Sequence, residues 1–307
     1  MIYVGENIHI VSKVVKEALL NRDEAFVRGL IAEQRAADYL DLNVGPAKGE
    51  LSGVLGWICE LAKEVAPELK ISLDTTNFDE ISKGLEFVED KQNCILNSTS
   101  SDEPKLSNML KLALANDCNL VALTMSKENG IPKSADGRLE IACEIYEKAL
   151  EMGIDTEKIF FDPLILPVTA DQSQAQEAIN TIKMIKESFE PSVKTIVGLS
   201  NISNGCPIEL RPIINRVMGV LCCGAGLDAV IADAKDEELV RIFKMIDSKN
   251  PETDYDELYI ELAQMVENFG ELEDVNYDSS NPEQVKIIKT AKMLYAKNIY
   301  SASFLNI

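Results

Sequence analysis

Eight short apolar runs recur along the chain at nearly even intervals, and they constrain its fold more than any other feature. Between the runs the apolar spacing becomes helical, as in Val27, Leu30 and Ile31. A strand and a helix therefore alternate eight times, which predicts an α/β fold, the (β/α)8 TIM barrel. The eight runs cover residues 2–7, 38–43, 69–74, 93–97, 119–124, 159–162, 195–201 and 227–233.

The chain is longer than a plain barrel requires. Its 307 residues exceed the roughly 250 that are typical of this fold, so we expect a single domain over residues 1–307 with an insertion. Residues 247–286 hold twelve Asp and Glu but only two Lys, and they are the expected insertion. Within it, the helical spacing of Leu258, Leu262 and Met265 predicts an amphipathic helix. Residues 285–294 are then expected to form the helix that closes the barrel.

Two interpretations of the acidic insertion are open from the sequence. The first is a solvated surface excursion, because its charged residues favour contact with water. The second is a docking surface for a partner protein, since acidic patches mainly influence encounter rate and partner choice.

Nearly every apolar run ends on a polar side chain. The active site of a (β/α)8 barrel lies at the carboxyl ends of its strands, so these side chains are expected to project into one shared cavity. Alternatively, Asp and Asn are turn formers that simply end strands. The candidate residues are Glu6, Asn7, Asn43, Asp74, Asn97, Thr124, Asp162, Asn201 and Asp233.

Composition excludes several classes of function. A net charge of -21 without clustered Lys and Arg argues against nucleic-acid binding, and no apolar stretch approaches the roughly 20 residues of a membrane span. Seven cysteines form no C-x-x-C pair, and His9 is the only histidine, so we expect no bound metal and a reducing cytoplasm as the location. Gly-rich phosphate-binding motifs are also missing. The chemistry is therefore expected to depend on carboxylates and amides.

Three strand-end residues suggest the kind of ligand. Asp74, Asn97 and Asp162 combine two carboxylates with an amide, so together they can accept several in-plane hydrogen bonds and donate one. A matching ligand would be flat and rich in N–H groups. The 2-amino-4-oxo edge of a pterin fits this description, and purines and other amide-bearing heterocycles offer similar edges.

Five segments resemble, in the same order, motifs of the pterin-binding methyltransferases. The chain is most similar to the methyltetrahydrofolate:corrinoid/iron-sulfur protein methyltransferases of the reductive acetyl-CoA pathway. The similarity covers residues 1 to about 246 and resumes near 291–305, so the acidic insertion lies outside it. The five segments are LDLNVGP at 40–46, LDTTN at 73–77, NST at 97–99, DPLILP at 162–167 and GLSNIS at 198–203.

This resemblance implies an enzyme that transfers the methyl group of 5-methyltetrahydrofolate to the cobalt(I) of a corrinoid. It implies that Asn201 lies beside the methylated ring nitrogen and is catalytic. Arg211 would steer the anionic benzoylglutamate tail, although its spacing from Asn201 differs from the family pattern. The residues implied to bind the folate are Asp74, Asn97, Asp162, Gly198, Ser200 and Arg211.

The resemblance also implies partners. Corrinoid domains commonly carry a D-x-H-x-x-G motif that the segment around His9 does not match, so a separate protein, the corrinoid/iron-sulfur protein, is expected to supply the corrinoid. Members of the family are homodimers, and a homodimer is expected here.

Three alternative functions are open. The first is the same chemistry in a corrinoid-dependent demethylation system, running from a methylcorrinoid to tetrahydrofolate. The second is a dihydropteroate synthase, although that family has basic residues where this chain has Asn201 and Asp233. The third is a pterin-binding scaffold without catalysis.

Overall fold

The computed structural model describes residues 1–305. Eight parallel strands pair in sequential order, and β8 pairs with β1 to close a barrel, so the predicted (β/α)8 fold is confirmed. The strands are β1 (Ile2–His9), β2 (Tyr39–Gly45), β3 (Lys70–Thr75), β4 (Ile95–Thr99), β5 (Asn119–Leu123), β6 (Ile159–Asp162), β7 (Lys194–Gly198) and β8 (Ala229–Ala232).

Twelve α-helices are found among residues 1–305, most of them between successive strands. They are α1 (Lys13–Leu20), α2 (Glu24–Ala32), α3 (Val54–Val65), α4 (Phe78–Leu85), α5 (Lys105–Asn116), α6 (Ala135–Glu151), α7 (Val168–Asp171), α8 (Ser173–Ser188), α9 (Arg211–Gly224), α10 (Glu237–Ser248), α11 (Asp256–Glu267) and α12 (Pro282–Leu294). In this part of the chain, each helix falls short of the length and apolar character that a membrane span requires.

The interior of the barrel is a small apolar cluster of its own. It contains Tyr39, Ile95, Phe160 and Ile196, each from a different strand. Because side chains two positions apart on a strand point to the same side, the residue two places further along each of these strands also faces inward. Those residues are Asp41, Asn97, Asp162 and Gly198. Alternation along the strands therefore places a polar layer above the apolar one, at the carboxyl end of the barrel.

The acidic insertion contains the predicted amphipathic helix, which is α11. Its apolar residues Leu258, Leu262 and Met265 are buried in the same core cluster as α9 and α10. A side chain added at Gly224 of α9 would collide with the Ala263 carbonyl group, which shows how closely α9 and α11 approach. The interpretation of the insertion as a solvated excursion is therefore wrong for α11, because burial of its apolar face outweighs the charge of its flanks.

A buried ion pair fixes the start of α11 to α10. The Arg241 guanidinium donates hydrogen bonds of 2.9 and 2.7 Å to the two carboxylate oxygens of Asp256. Burial alone would raise the pKa of Asp256, but hydrogen bonds from Arg241 and from the Glu252 and Thr253 backbone lower it to about 2. The insertion is thus held to the barrel by charge as well as by apolar packing.

Two contacts join α10 to the beginning of the chain. Phe243 of α10 packs edge-on against Tyr3 at 6.0 Å between ring centroids, and the amino terminus pairs with Asp247 at 2.8 Å. The C-terminal helix α12, expected to close the barrel, packs instead against α8 and α9. The side chain of Gln172, which joins α7 to α8, holds the end of α12 by donating to the Met293 carbonyl at 3.0 Å.

Candidate functional site

A cavity of about 800 Å³ opens at the carboxyl ends of the strands. It is lined by side chains from six strands and from the loops that follow them, so residues far apart in sequence meet here. The sequence-predicted residues that line it are Glu6, Asn43, Asp74, Asn97, Asp162, Gly198, Ser200, Asn201, Arg211 and Asp233. All seven residues expected to bind folate or to act in catalysis are therefore in one cavity.

Two of the strand-end candidates do not face this cavity. Thr124 is buried, and its hydroxyl donates to the Asp162 carbonyl oxygen at 3.1 Å. It follows Leu123, which takes the inward position at the end of β5, so Thr124 points outward. Asn7 donates to Asp233 at 2.6 Å and lines a smaller adjoining cavity of about 280 Å³. The expectation of one shared cavity is wrong for these two residues.

Two carboxyl groups meet on the floor of the cavity. Asp41 is only 3% exposed and accepts hydrogen bonds from Ser72 Oγ at 2.6 Å and from Asn97 Nδ2 at 3.5 Å. Asp74 accepts from Asn43 Nδ2 and is hydrogen-bonded to Asp41. Burial raises the pKa of Asp41 to about 6, and burial together with the charge of Asp41 raises the pKa of Asp74 well above its usual range. Protonation is therefore favoured at Asp74, from where the carboxyl O–H can donate to Asp41.

Asp162 lies on another side of the cavity, and among residues 1–305 no carboxylate is hydrogen-bonded to it. It is 9% exposed, and its Oδ1 accepts a hydrogen bond from the Leu164 backbone N–H at 2.7 Å. Burial raises its pKa to about 7, an increase limited by the Leu164 N–H and by the positive charge of Arg138. A ligand N–H group that approaches Asp162 would favour the ionised carboxylate.

The loop after β7 supplies the polar groups at the rim of the cavity. A short 3-10 helix over Leu199–Ser203 follows directly after Gly198, and it brings Ser200 and Asn201 to the mouth. The Ser200 hydroxyl donates to Glu6, whose pKa is raised to about 7 mainly by burial. A Cβ at Gly198 would lie 3.0 Å from the Asn201 Nδ2 atom, so glycine leaves room for this carboxamide.

The part of the cavity next to α9 is lined by cationic side chains. Arg211 begins α9 and donates from Nε to the Cys206 carbonyl oxygen at 3.0 Å. Arg216, one turn further along α9, pairs with Asp236 at 2.6 Å. Within residues 1–305, the buried Asn215 Oδ1 and Arg216 Nε have no hydrogen-bond partner. This part of the cavity is therefore suited to the polar or anionic end of a ligand.

Several lining residues were not predicted. Position at the end of a strand does not predict Asp41 as a site residue, because Asn43 ends the same run. A carboxylate two residues before Asn43, inside an apolar strand, nevertheless indicates a side chain on the same side of the strand as Asn43. No sequence pattern predicts that Asn215, Arg216 and Asp236 line the cavity, because they reach it only through the packing of α9 and the loop after β8.

The arrangement offers hydrogen bonds and charge. Among residues 1–305, no group of three or more His, Cys, Asp or Glu side chains is placed to hold a metal ion. Alternating donors and acceptors on a flat heterocycle can pair with the carboxyl groups of Asp74 and Asp162 and with the Asn97 amide.

Comparison with known families identifies the class of protein. Residues 37–233 match the family described as pterin binding enzyme, and the chain belongs to this family.

Among individual proteins, the chain is similar to a methylcorrinoid:tetrahydrofolate methyltransferase of Eubacterium limosum. The two are 28% identical over 243 residues, which cover 78% of this chain and 88% of that protein. The chain is also similar to the methionine synthase of Mycobacterium leprae, with 28% identity over 238 residues, but these cover only 19% of the synthase.

Solved structures share the fold. The dihydropteroate synthase of Yersinia pestis superposes with a TM-score of 0.56 at 15% identity, covering 80% of this chain and 93% of that one. The dihydropteroate synthase of Anaplasma phagocytophilum, solved with 6-hydroxymethylpterin-monophosphate, superposes with a TM-score of 0.52 at 16% identity, covering 80% and 98%. At these identities the similarity concerns the barrel alone.

Proposed function

We propose that this chain transfers a methyl group between tetrahydrofolate and the cobalt of a corrinoid that a partner protein carries. The observation that carries the proposal is the convergence of Asp74, Asn97 and Asp162 in one cavity of a chain from the pterin-binding family. The cavity, at about 800 Å³, is within the usual range of about 300 to 1,000 Å³ for small-molecule sites.

In the proposed complex, the pterin edge lies over the floor of the cavity. Ionised Asp162 accepts N–H groups of the ring, and charge-assisted hydrogen bonds of this kind are roughly twice as strong as neutral ones. The Asp74 O–H, directed at Asp41 in the ligand-free protein, would turn to a ring nitrogen or carbonyl oxygen in the complex, while Asn97 offers both a donor and an acceptor. Arg211 and its neighbours on α9 attract the carboxylates of the glutamate tail.

The proposed catalytic group is the Asn201 carboxamide. When a tetrahydrofolate nitrogen takes the methyl group, a nitrogen–carbon bond forms, the cobalt–carbon bond breaks with its electron pair left on cobalt(I), and the nitrogen loses its proton to water. In the reverse direction the nitrogen must gain that proton before it is a good leaving group. An amide oxygen that accepts a hydrogen bond from the N–H stabilises the protonated nitrogen in either direction.

One observation favours the direction from methylcorrinoid to tetrahydrofolate. The relative from Eubacterium limosum is named for that direction, and the similarity extends over 88% of its length. The reductive acetyl-CoA pathway would use the opposite direction in the same cavity, with the corrinoid/iron-sulfur protein as partner. Both versions require a separate corrinoid protein at the barrel mouth, and we expect the methyltransferase to act as a homodimer.

Visible spectroscopy with free corrinoids tests the proposal. Under anaerobic conditions, the protein with 5-methyltetrahydrofolate and cob(I)alamin should produce the methylcobalamin spectrum. With tetrahydrofolate and methylcobalamin it should produce cob(I)alamin. Folate binding without transfer in either direction would refute the methyltransferase proposal and favour a scaffold.

A substitution at Asn201 tests the catalytic assignment. Asn201→Ala should slow transfer by at least tenfold while folate affinity changes only a few fold, because loss of one transition-state hydrogen bond typically costs about 2.7 to 4 kcal/mol. The matched control is Asn93→Ala, since Asn93 precedes β4 at the opposite end of the barrel and its side chain donates a hydrogen bond to Asp90, its one side-chain partner in the part of the chain described. Equal transfer rates in wild type and Asn201→Ala would remove Asn201 from the mechanism.

A further inference from the structure

The Asn201 side chain is held by one neighbour in its own loop. Asn201 is exposed at the rim of the cavity, whereas Ile202 and Ser203, which follow it, are buried and fix the backbone. Among the described residues, the Asn201 side chain has a single hydrogen-bond partner, since the Nδ2 group of Asn204 donates to its Oδ1 atom at 3.2 Å. An exposed side chain is free to rotate unless such a contact restrains it. The conformation of Asn201 therefore depends on Asn204, which lines the same cavity.

The backbone of Asn204 is itself fixed by two hydrogen bonds. Its N–H donates to the Asn201 carbonyl oxygen at 3.2 Å, which closes the turn between the two residues. Its carbonyl oxygen accepts a hydrogen bond of 2.8 Å from the hydroxyl of Thr169 in α7. Gly205 follows with a φ of +80°, and a Cβ there would lie 3.0 Å from the Thr169 Oγ1 atom, so glycine permits this close approach. Asn201 is thus connected through Asn204 to the helix that follows β6.

The hydrogen bond from Asn204 favours one orientation of the Asn201 carboxamide. An amide has an oxygen that accepts and an NH2 group that donates, and half a turn exchanges the two with almost no change in shape. The proposed chemistry needs the oxygen, because this atom must accept the N–H of the protonated folate nitrogen. A donor at Asn204 holds the oxygen at the contact and leaves its second lone pair for the ligand.

We propose that Asn204 is a positioning residue, which holds the Asn201 carboxamide in the conformation that accepts the N–H group of the folate. This inference rests on the proposed function and adds to it a residue that acts through Asn201. Because the hydrogen bond that Asn201 makes to the folate is strongest in the transition state, loss of Asn204 should lower the transfer rate more than the affinity for the folate.

The first experiment compares single and double variants. Asn204→Ala removes the donor and should slow methyl transfer from 5-methyltetrahydrofolate to cob(I)alamin about three- to tenfold, the effect of one hydrogen bond between neutral groups, while the folate Kd changes less than about twofold. In an Asn201→Ala background, Asn204→Ala should slow transfer no further, because the two residues act as a unit. The matched control is Asn180→Ala, at an exposed position of α8, which should change neither quantity. Equal losses in both backgrounds would overturn the inference.

A second variant reverses the chemistry at nearly constant shape. Asn204→Asp replaces the donor by a carboxylate that only accepts, so Asn201 should turn its NH2 group towards it and its oxygen away from the ligand. Transfer should then be slower than in Asn204→Ala, which a loss of packing would not produce. A rate equal to or above that of Asn204→Ala would contradict the inference. A wild-type protein that transfers no methyl group in either direction refutes the proposed function itself, whereas transfer that is insensitive to Asn204 rejects only this role.

Discussion

Replacing Asp162 by Asn should make the ligand-free protein more stable at alkaline pH while it impairs folate binding. Asp162 is almost fully buried, and burial raises its pKa to about 7. Within the described chain, its carboxylate accepts a hydrogen bond from the Leu164 N–H alone. An Asn side chain has the same shape and can keep that hydrogen bond through its Oδ1 atom. The substitution therefore removes the buried charge with little change in packing.

The size of the effect follows from proton linkage. A folded pKa above the unfolded value means that the contribution of Asp162 to stability is fully present below about pH 4 and is lost as the pH rises through about 7. With an unfolded pKa near 3.8, ionisation of this one group lowers wild-type stability by about 2 to 3 kcal/mol between pH 5 and pH 8. Asp162→Asn lacks this loss, so its stability relative to wild type should increase by that amount over the same interval.

Urea unfolding at pH 5 and pH 8 measures the difference between variant and wild type. The control is Asp274→Asn, since Asp274 is exposed and its stability difference should be the same at both pH values. Folate affinity of Asp162→Asn at pH 8 should be about ten- to a hundredfold weaker, because a hydrogen bond to a charged group contributes about 1.5 to 3 kcal/mol. A stability difference that does not grow with pH would refute the assignment of a buried, charged Asp162. Unchanged folate affinity would remove Asp162 from the pterin site.

Two further predictions concern the insertion and the rim of the cavity. Leu262→Ala in α11 should lower the free energy of unfolding by about 2 to 5 kcal/mol, as for other buried leucines, whereas Leu150→Ala at an exposed position of α6 should change it by less than about 0.5 kcal/mol in urea unfolding. Equal effects of the two substitutions would mean that α11 is not part of the core. Arg211→Ala should weaken binding of 5-methyltetrahydrofolate about two- to fivefold at low salt, the range of an exposed charge pair. Calorimetry with a tetrahydropterin that lacks the glutamate tail should show no change, and equal losses for both ligands would contradict a role for Arg211 at the tail.

The barrel was predictable because each of its elements repeats a local pattern. Apolar runs bounded by turn-forming residues make strands, and the spacing of Val27, Leu30 and Ile31 makes an amphipathic helix that covers them. The same reasoning found α11 from the spacing of Leu258 and Leu262. The spacing does not predict which helices α11 packs against, because an apolar helix face can pack against any apolar surface.

The polar layer was predictable only where the end of a strand was predictable. Asp74, Asn97 and Asp162 terminate or nearly terminate their strands, so the general geometry of a parallel barrel brings them together. Thr124 was assigned wrongly because β5 ends one residue earlier than expected, and a shift of one residue turns a side chain to the opposite face.

The sequence by itself determined the barrel, the end at which its cavity opens and most of the side chains that line it, since all three follow from periodicities within single strands and helices. Only the tertiary structure decided which groups interact. The carboxyl pair of Asp41 and Asp74 and the contact of Glu6 with Ser200 join residues from different strands and loops. Their ionisation depends on burial and on distances between side chains, and these exist only once the strands have closed into a barrel.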